Sequence, residues 1–234
     1  MENDLLKNVK AVVFDFGNTL INTRKAIKEA DDLVFETLSK KYGVKKIKLA
    51  NEFTKIKMGM GNIYSKDRSE WIRLISNRLK IDIKEEDIKS SSELFHNYIL
   101  NNTEVGKDAE RVLTYIKSSG KKLGLLTVRD TKKNFKMRRI NQTSFYRLFD
   151  AMLIAGEGNT TTKNDASAFI KIAKMLKEVP SNILMIGDDP TADIGNAKMA
   201  GMHTALLDKY TPISPIDHNP DVVIKELTDL LVLL

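Results

Sequence analysis

The stretch Val9–Ile21, VKAVVFDFGNTLI, constrains the fold of this chain more than any other. Four apolar residues, Ala11–Phe14, run into a single acid, Asp15, and the pattern breaks at Gly17-Asn18-Thr19. A short β-branched run bounded by turn residues is the pattern of a strand buried within a parallel sheet. An acid at its end then lies at the carboxyl edge of the sheet, where open α/β folds bind ligands. A carboxylate there is poorly solvated unless a cation, hydrogen-bond donors or a reaction partner compensates it. Two readings of Asp15 are open at this point: a group that does chemistry, and an acid that caps the following turn.

From about residue 24 to 100 the pattern is helical, with little strand signal. Leu33, Val34 and Leu38 keep helical spacing, and Tyr42-Gly43 supplies a stop. Asp67 with Glu70 resembles a capping pair, opening a helix whose Trp71, Ile72, Ile75 and Leu79 form one stripe. Glu85 to Leu100 reads as another helix, and the breaker Gly59-Met60-Gly61-Asn62 lies between two of these helices. Four helices without intervening strands suggest a bundle inserted after the first strand.

From Gly106 the rhythm becomes β/α alternation. A helix is expected over Asp108–Ser119, stopping at Gly120, and strands over Lys122–Thr127, Ala151–Ala155 and Asn182–Ile186. Asn164–Lys177 reads as a helix with Ala166, Phe169, Ile170, Ala173 and Leu176 on one face. A further helix runs through Ala197 to Ala200 and stops at Gly201. Thr204–Leu207 and Asp221–Ile224 are shorter strand candidates, and the apolar tail reads as a last helix. Strands alternating with helices indicate an α/β class, a doubly wound, mostly parallel sheet. The expected domains are residues 1–21 with 101–234 as the α/β core, and 22–100 as a helical insertion.

Composition narrows the function classes. With 234 residues, 42% of them hydrophobic, the chain can bury a sizeable core. No apolar stretch approaches the roughly 20 residues that span a membrane. The N-terminus, MENDLLKNVK, lacks the apolar run of a secretion signal. With no cysteine there is neither a disulfide framework nor a thiolate metal site, which fits a cytoplasmic protein. His96, His203 and His218 are too scattered for a zinc site. The net charge of +7 is spread over pairs such as Lys40-Lys41 and Lys121-Lys122, without aromatic interleaving. That distribution argues against nucleic acid and for a solvated surface able to steer a phosphorylated metabolite.

The residues with most chemical promise share a position. Asp15, then Thr127, then Asp188-Asp189 each end an apolar strand, and parallel strands present their carboxyl ends on one edge. Carboxylates gathered there repel one another unless a cation lies between them. Hard oxygen ligands from few acids, completed by waters and a phosphate, suit Mg²⁺. One such carboxylate can act as a nucleophile, as in enzymes that pass through an aspartyl-phosphate.

Asp15-Phe16-Gly17-Asn18-Thr19, Thr127, Lys163 and Gly187-Asp188-Asp189 with Asp193 resemble, in order and spacing, the four motifs of the haloacid dehalogenase-like hydrolase superfamily. The helical insertion resembles that superfamily's C1-type cap. The resemblance implies a Mg²⁺-dependent phosphatase of a small phosphorylated metabolite. It implies that Asp15 attacks phosphorus and ligates Mg²⁺, joined by the Gly17 carbonyl and Asp188, with Asp189 or Asp193 in support. It further implies that Thr127 donates its hydroxyl to the phosphoryl group and that Lys163 neutralises it. Asn18, Thr19, Arg129 and Asp193 are then substrate-side candidates, and Arg24, Lys57, Tyr64, Arg68 and Trp71 candidates in the cap. On the residues alone, Thr127 also reads as a hydroxyl bonding its own turn, Lys163 as a surface lysine, and Asp193 as an acid at a helix N-terminus.

Three positions depart from the family pattern. Gly17 stands where phosphatases of the family carry a second Asp that protonates the leaving oxygen; losing a general acid–base can cost about 10²–10⁴ in rate. Val128 stands for an asparagine, and Asn164 for the proline after the motif lysine. Two other reactions of the superfamily, 2-haloacid dehalogenation and phosphonate hydrolysis, tolerate the absence of that second Asp. A regulatory module with a retained phosphate cradle is the non-enzyme alternative. Whether the chain is a monomer or a homodimer is open.

Overall fold

The computed structural model describes residues 8–59, 67–157, 162–208 and 219–234. The chain divides into two compact units: residues 1–22, 105–129 and 136–234 form one, and residues 23–104 with 130–135 the other.

The first unit is built on strands β1 (Ala11–Phe14), β2 (Lys122–Val128), β3 (Ala151–Ala155), β4 (Ile183–Gly187), β5 (His203–Leu207) and β6 (Val222–Ile224). They lie in the order β3-β2-β1-β4-β5-β6, and all pairings are parallel. Side chains alternate across a strand, so β1 feeds two cores. Val12 and Phe14 pack with Val112, Leu113 and Ile116 of helix α5 (Ala109–Ser118). Ala11 and Val13 pack with Phe169, Ile172 and Leu176 of helix α7 (Ser167–Leu176). Burial on both faces is why β1 reads as an unbroken apolar run. A methyl group on Gly124 would lie 2.9 Å from Val13 Cγ2 and 3.0 Å from Leu176 Cδ1, so this glycine sets how closely α7 seats on β2.

Register brings the strand ends together. Phe14 pairs with Leu125 on one side and Ile186 on the other. The next residues, Asp15, Leu126 and Gly187, therefore emerge level, and the Asp15 amide extends the ladder to the Ile186 carbonyl at 2.9 Å.

Several details differ from the sequence expectation. The helix after Lys163 starts at Ser167 and ends where Lys177 takes a left-handed conformation (φ 55°). Its inner face carries Ala168 and Ile172, while Ile170 points outward. Strand β4 continues to Gly187, and a π-helical turn, Pro190–Gly195, precedes the four-residue helix α8 (Asn196–Met199). Helix α6 (Phe135–Asn141), with sequence FKMRRIN, was not anticipated; it is short, and cations interrupt its apolar spacing.

The second unit comprises α1 (Arg24–Tyr42), α2 (Lys46–Gly59), α3 (Arg68–Leu79) and α4 (Glu85–Asn102). Phe35, Phe53 and Trp71 form an aromatic chain in its core, with centroids 5.5 and 5.3 Å apart. Gly43 ends α1 in the left-handed conformation (φ 65°) that its sequence position suggests. Asp67 precedes α3, but its carboxylate does not cap the helix; it accepts from the Ser92 hydroxyl at 3.2 Å. His96 is buried, with Nδ1 2.7 Å from the Ser92 carbonyl and its ring against Phe95 and Phe135, a structural role. The breaker residues Met60, Gly61 and Asn62, and likewise Tyr64 and His218, lie outside the described residues.

Arg68 is inserted into this core. Its guanidinium stacks 3.7 Å above the Phe95 ring and pairs with Asp31 at 3.0 Å. Burial pushes the Asp31 carboxyl up to about 6, against the opposing pull of Arg68 and Lys57. A folded-state value above the unfolded one means that the native chain takes up a proton between about pH 4 and 6. The stability this supplies is full below that window and lost as pH rises through it. Relative to Asp31→Asn, wild-type unfolding free energy is expected to fall by about 3 kcal/mol from about pH 4 to 7. Urea titrations followed by the fluorescence of Trp71, the single tryptophan, measure this; a pH-independent difference would contradict it.

Candidate active site

Asp15 ends β1 nearly buried, and its carboxylate accepts a hydrogen bond from Lys163 Nζ at 2.6 Å. Beyond it the chain turns tightly, with the amides of Leu20 and Ile21 both donating to the Phe16 carbonyl at 3.1 Å. Asn18 takes the left-handed conformation (φ 60°) within that turn, a geometry asparagine tolerates better than most residues. Thr19 is buried, and its hydroxyl has no hydrogen-bond partner among the described residues.

Lys163, the lysine of the sequence motif, is set apart from nearby Lys171 and Lys174 by its burial. Its side chain is 2% exposed, and its ammonium is shared between Asp15 and Asp193. Burial alone would depress the ammonium's pKa; the two carboxylates outweigh it and raise the value, so Lys163 stays charged. Its main-chain carbonyl accepts from Asn196 Nδ2 at 3.0 Å.

Asp188 follows β4, half-buried. Oxygens of Asp15, Asp188 and Asp193 lie within 4.8 Å of one another. Asp193 is fully buried, and burial pushes its carboxyl above the usual carboxylate range, against the pull of Lys163 and with Asp15 and Asp188 adding to the rise. Three converging carboxylates with one ammonium leave negative charge uncompensated, and hard oxygen donors of this kind suit Mg²⁺. The residues present thus fit a divalent cation.

Asp189, expected beside Asp188 among the metal ligands, does not join this group. It is exposed, and its carboxylate caps the π-helical turn by accepting from the amides of Thr191 (2.9 Å) and Ala192 (2.8 Å). That turn delivers Asp193 instead, whose second oxygen accepts from the Asp189 amide at 3.1 Å. Gly187 makes room: a methyl group there would lie 2.0 Å from Asp193 Oδ2.

Thr127 lies buried near the end of β2, paired with Ile154. Arg129, two residues on, is exposed, and its stem passes over Gly156, where φ is +84° and a methyl group would be 3.3 Å from Arg129 Cδ. Among the helical-unit candidates, Arg24 and Lys57 are exposed, while Arg68 and Trp71 are core residues of that unit.

A doubly wound parallel sheet that gathers carboxylates and a lysine at its carboxyl edge is the frame of an α/β enzyme acting on a charged ligand. Residues 9–201 match the profile of the haloacid dehalogenase-like hydrolases, and the chain belongs to that family. Over 233 residues it is 26% identical to a protein of Clostridium perfringens (strain 13 / Type A) named "Putative pyrophosphatase PpaX", covering 95% of this chain and 96% of that one. It is 24% identical over 226 residues to the human N-acylneuraminate-9-phosphatase, covering 92% and 88%. The crystal structure of a HAD phosphatase from Thermococcus onnurineus superposes with a TM-score of 0.70 at 22% identity, covering 95% and 96%. The chain is accordingly an enzyme, a phosphatase-like hydrolase.

The Gly187 contact generates a stability prediction. Gly187→Ala is expected to lower unfolding free energy by about 1–3 kcal/mol, the usual range for overpacking. An unchanged urea midpoint would mean that Asp193 moves aside freely.

Proposed function

We propose that the protein is a Mg²⁺-dependent phosphatase of small phosphorylated metabolites that works through an aspartyl-phosphate on Asp15. The observation that carries this reading is the shared ammonium of Lys163, held by Asp15 at 2.6 Å and by Asp193, beside a third carboxylate, Asp188. Asp15, Asp188 and the Gly17 carbonyl would hold the ion, with Asp193 in the supporting position for which Asp189 was also a candidate. Mg²⁺ supplies charge neutralisation at the phosphoryl oxygens when bound.

In this mechanism one Asp15 oxygen accepts from Lys163, which orients the carboxylate and leaves the other to form the bond to phosphorus. The bond from phosphorus to the leaving oxygen breaks with its electron pair, and that oxygen takes a proton from water, since Gly17 has none to give. Water then attacks phosphorus, releasing inorganic phosphate and restoring Asp15. Thr127 would donate its hydroxyl to a phosphoryl oxygen, and Lys163 would balance charge throughout. Amides of the Asn18-Thr19 turn and the Arg129 guanidinium are further donors for the substrate. The helical unit is read as the cap that selects the organic part of the substrate.

Two curated relatives carry names of different phosphate-releasing enzymes, one a pyrophosphatase and one a sugar-acid phosphatase. That supports phosphoryl transfer in preference to carbon–halogen or carbon–phosphorus cleavage. No helix among the described residues is long and apolar enough to cross a membrane, and the proposed site of action is the cytoplasm.

Hydrolysis of an aryl phosphate tests this. Activity with Mg²⁺ is expected, lost on adding EDTA and lost in Asp15→Asn; activity that survives Asp15→Asn would exclude the mechanism. Gly17 adds a sharper expectation, since glycine cannot transfer a proton. Rates should rise steeply as the leaving group's pKa falls, reflecting the roughly 10²–10⁴ that a general acid contributes. A flat dependence would reveal another acid in the place of the missing one.

A further inference from the structure

Lys163 is a long side chain that must end between two carboxylates, and a lysine has four side-chain torsions through which error in its backbone position can spread. The residue that follows, Asn164, is exposed and leaves its own φ unrestricted, unlike a proline. Helix α7 begins only at Ser167. The lysine's main chain therefore needs a hold from elsewhere, and Asn196 supplies one.

Asn196 is buried at the start of α8, three residues after Asp193. Its side-chain amide donates to two main-chain carbonyls, Lys163 at 3.0 Å and Ala192 at 3.3 Å. Both partners are acceptors, so only the nitrogen end of the amide can face them. One bond ties Asn196 to the turn that carries Asp193, and the other ties that turn to the lysine. The same short segment thus grips Lys163 twice, at the ammonium through Asp193 and at the backbone through Asn196. Aspartate has the same shape but nothing to donate when ionised; alanine and leucine have no donor at all.

We propose that Asn196 is a positioning residue for Lys163, holding its main chain on the turn whose Asp193 receives its ammonium and so placing that ammonium on Asp15. The proposal rests on the reading of Asp15 as the nucleophile for its effect on turnover, but not for its structural content. Removing the amide leaves the Lys163 carbonyl without that donor and lets the backbone drift. Because a displacement of about 1 Å at a catalytic group can cost about 10²-fold, a partial loss of position is expected to lower kcat about tenfold while KM stays within about twofold.

Two measurements on the full chain test this. The first is a double-mutant cycle with an aryl phosphate and Mg²⁺. Asn196→Ala is expected to cost about tenfold in kcat in the wild-type background and less than about twofold in Lys163→Ala, because its effect passes through the lysine. Equal losses in both backgrounds would overturn the proposal. The second needs no activity: in ¹⁵N-lysine-labelled protein the buried ammonium of Lys163, identified by its absence in Lys163→Met, gives a slowly exchanging signal. That signal should shift or broaden in Asn196→Ala, and in Asn196→Ser should the alanine variant not fold. An unchanged signal would refute the positioning role even where wild-type enzyme hydrolyses phosphate esters. A shifted signal in a protein that hydrolyses none would leave the positioning role standing and defeat the phosphatase reading alone.

Discussion

Negative charge concentrated at one edge of a parallel sheet is the constraint around which this structure is arranged. Asp15, Asp188 and Asp193 converge within 4.8 Å, a distance at which like charges in a poorly solvated site repel strongly. A buried lysine is a costly answer when its charge must be desolvated, yet the cost is offset where two carboxylates share it. Lys163 is placed in that way. The neighbouring architecture serves the same end: parallel register delivers the acids level with one another, a glycine clears space for Asp193, and an asparagine secures the lysine's backbone.

The α/β core and the helical unit differ in how polarity is buried. In the core, buried charge collects at one sheet edge, where chemistry is expected. In the helical unit it takes the form of Arg68 stacked on Phe95 and paired with Asp31. Arg68 and Lys57 together do not fully compensate Asp31 there, and burial still dominates its titration. Arginine suits such a site because its flat guanidinium stacks on a ring while keeping its charge.

Much of this was legible in the sequence because it follows from local patterns. Ala11–Phe14 running into Asp15, and Ile183–Gly187 into Asp188, mark strands buried on both faces and place their terminal acids at one edge. Where reading failed, the deciding information was not local. The sequence left open whether Asp189 or Asp193 stands beside Asp188, and it is the π-helical turn that brings Asp193 to the group while Asp189 caps amides. Ile170 fits a helical stripe yet faces solvent, because the buried stripe of α7 runs through Ala168, Phe169, Ile172, Ala173 and Leu176, and Ile170 lies beside it. Segment 130–135 groups with the helical unit although it follows a core strand, which no periodicity announces. Asn196 carries no motif at all; its partner lies 33 residues away in sequence.

The π-helical turn makes chain length itself a chemical variable. The amides of Asp193 and Ile194 both reach back to the Asp189 carbonyl, at 3.0 and 3.3 Å, so the turn holds one residue more than an α-helical turn closes on. Deleting a residue between Pro190 and Ala192 would restore ordinary winding and swing position 193 around the axis by about 100°, one residue's share of a helical turn. The acid would then face away from Lys163. Thr191 and Ala192 enter this geometry through their main chains, both amides donating to Asp189: in this segment counting residues matters more than naming them.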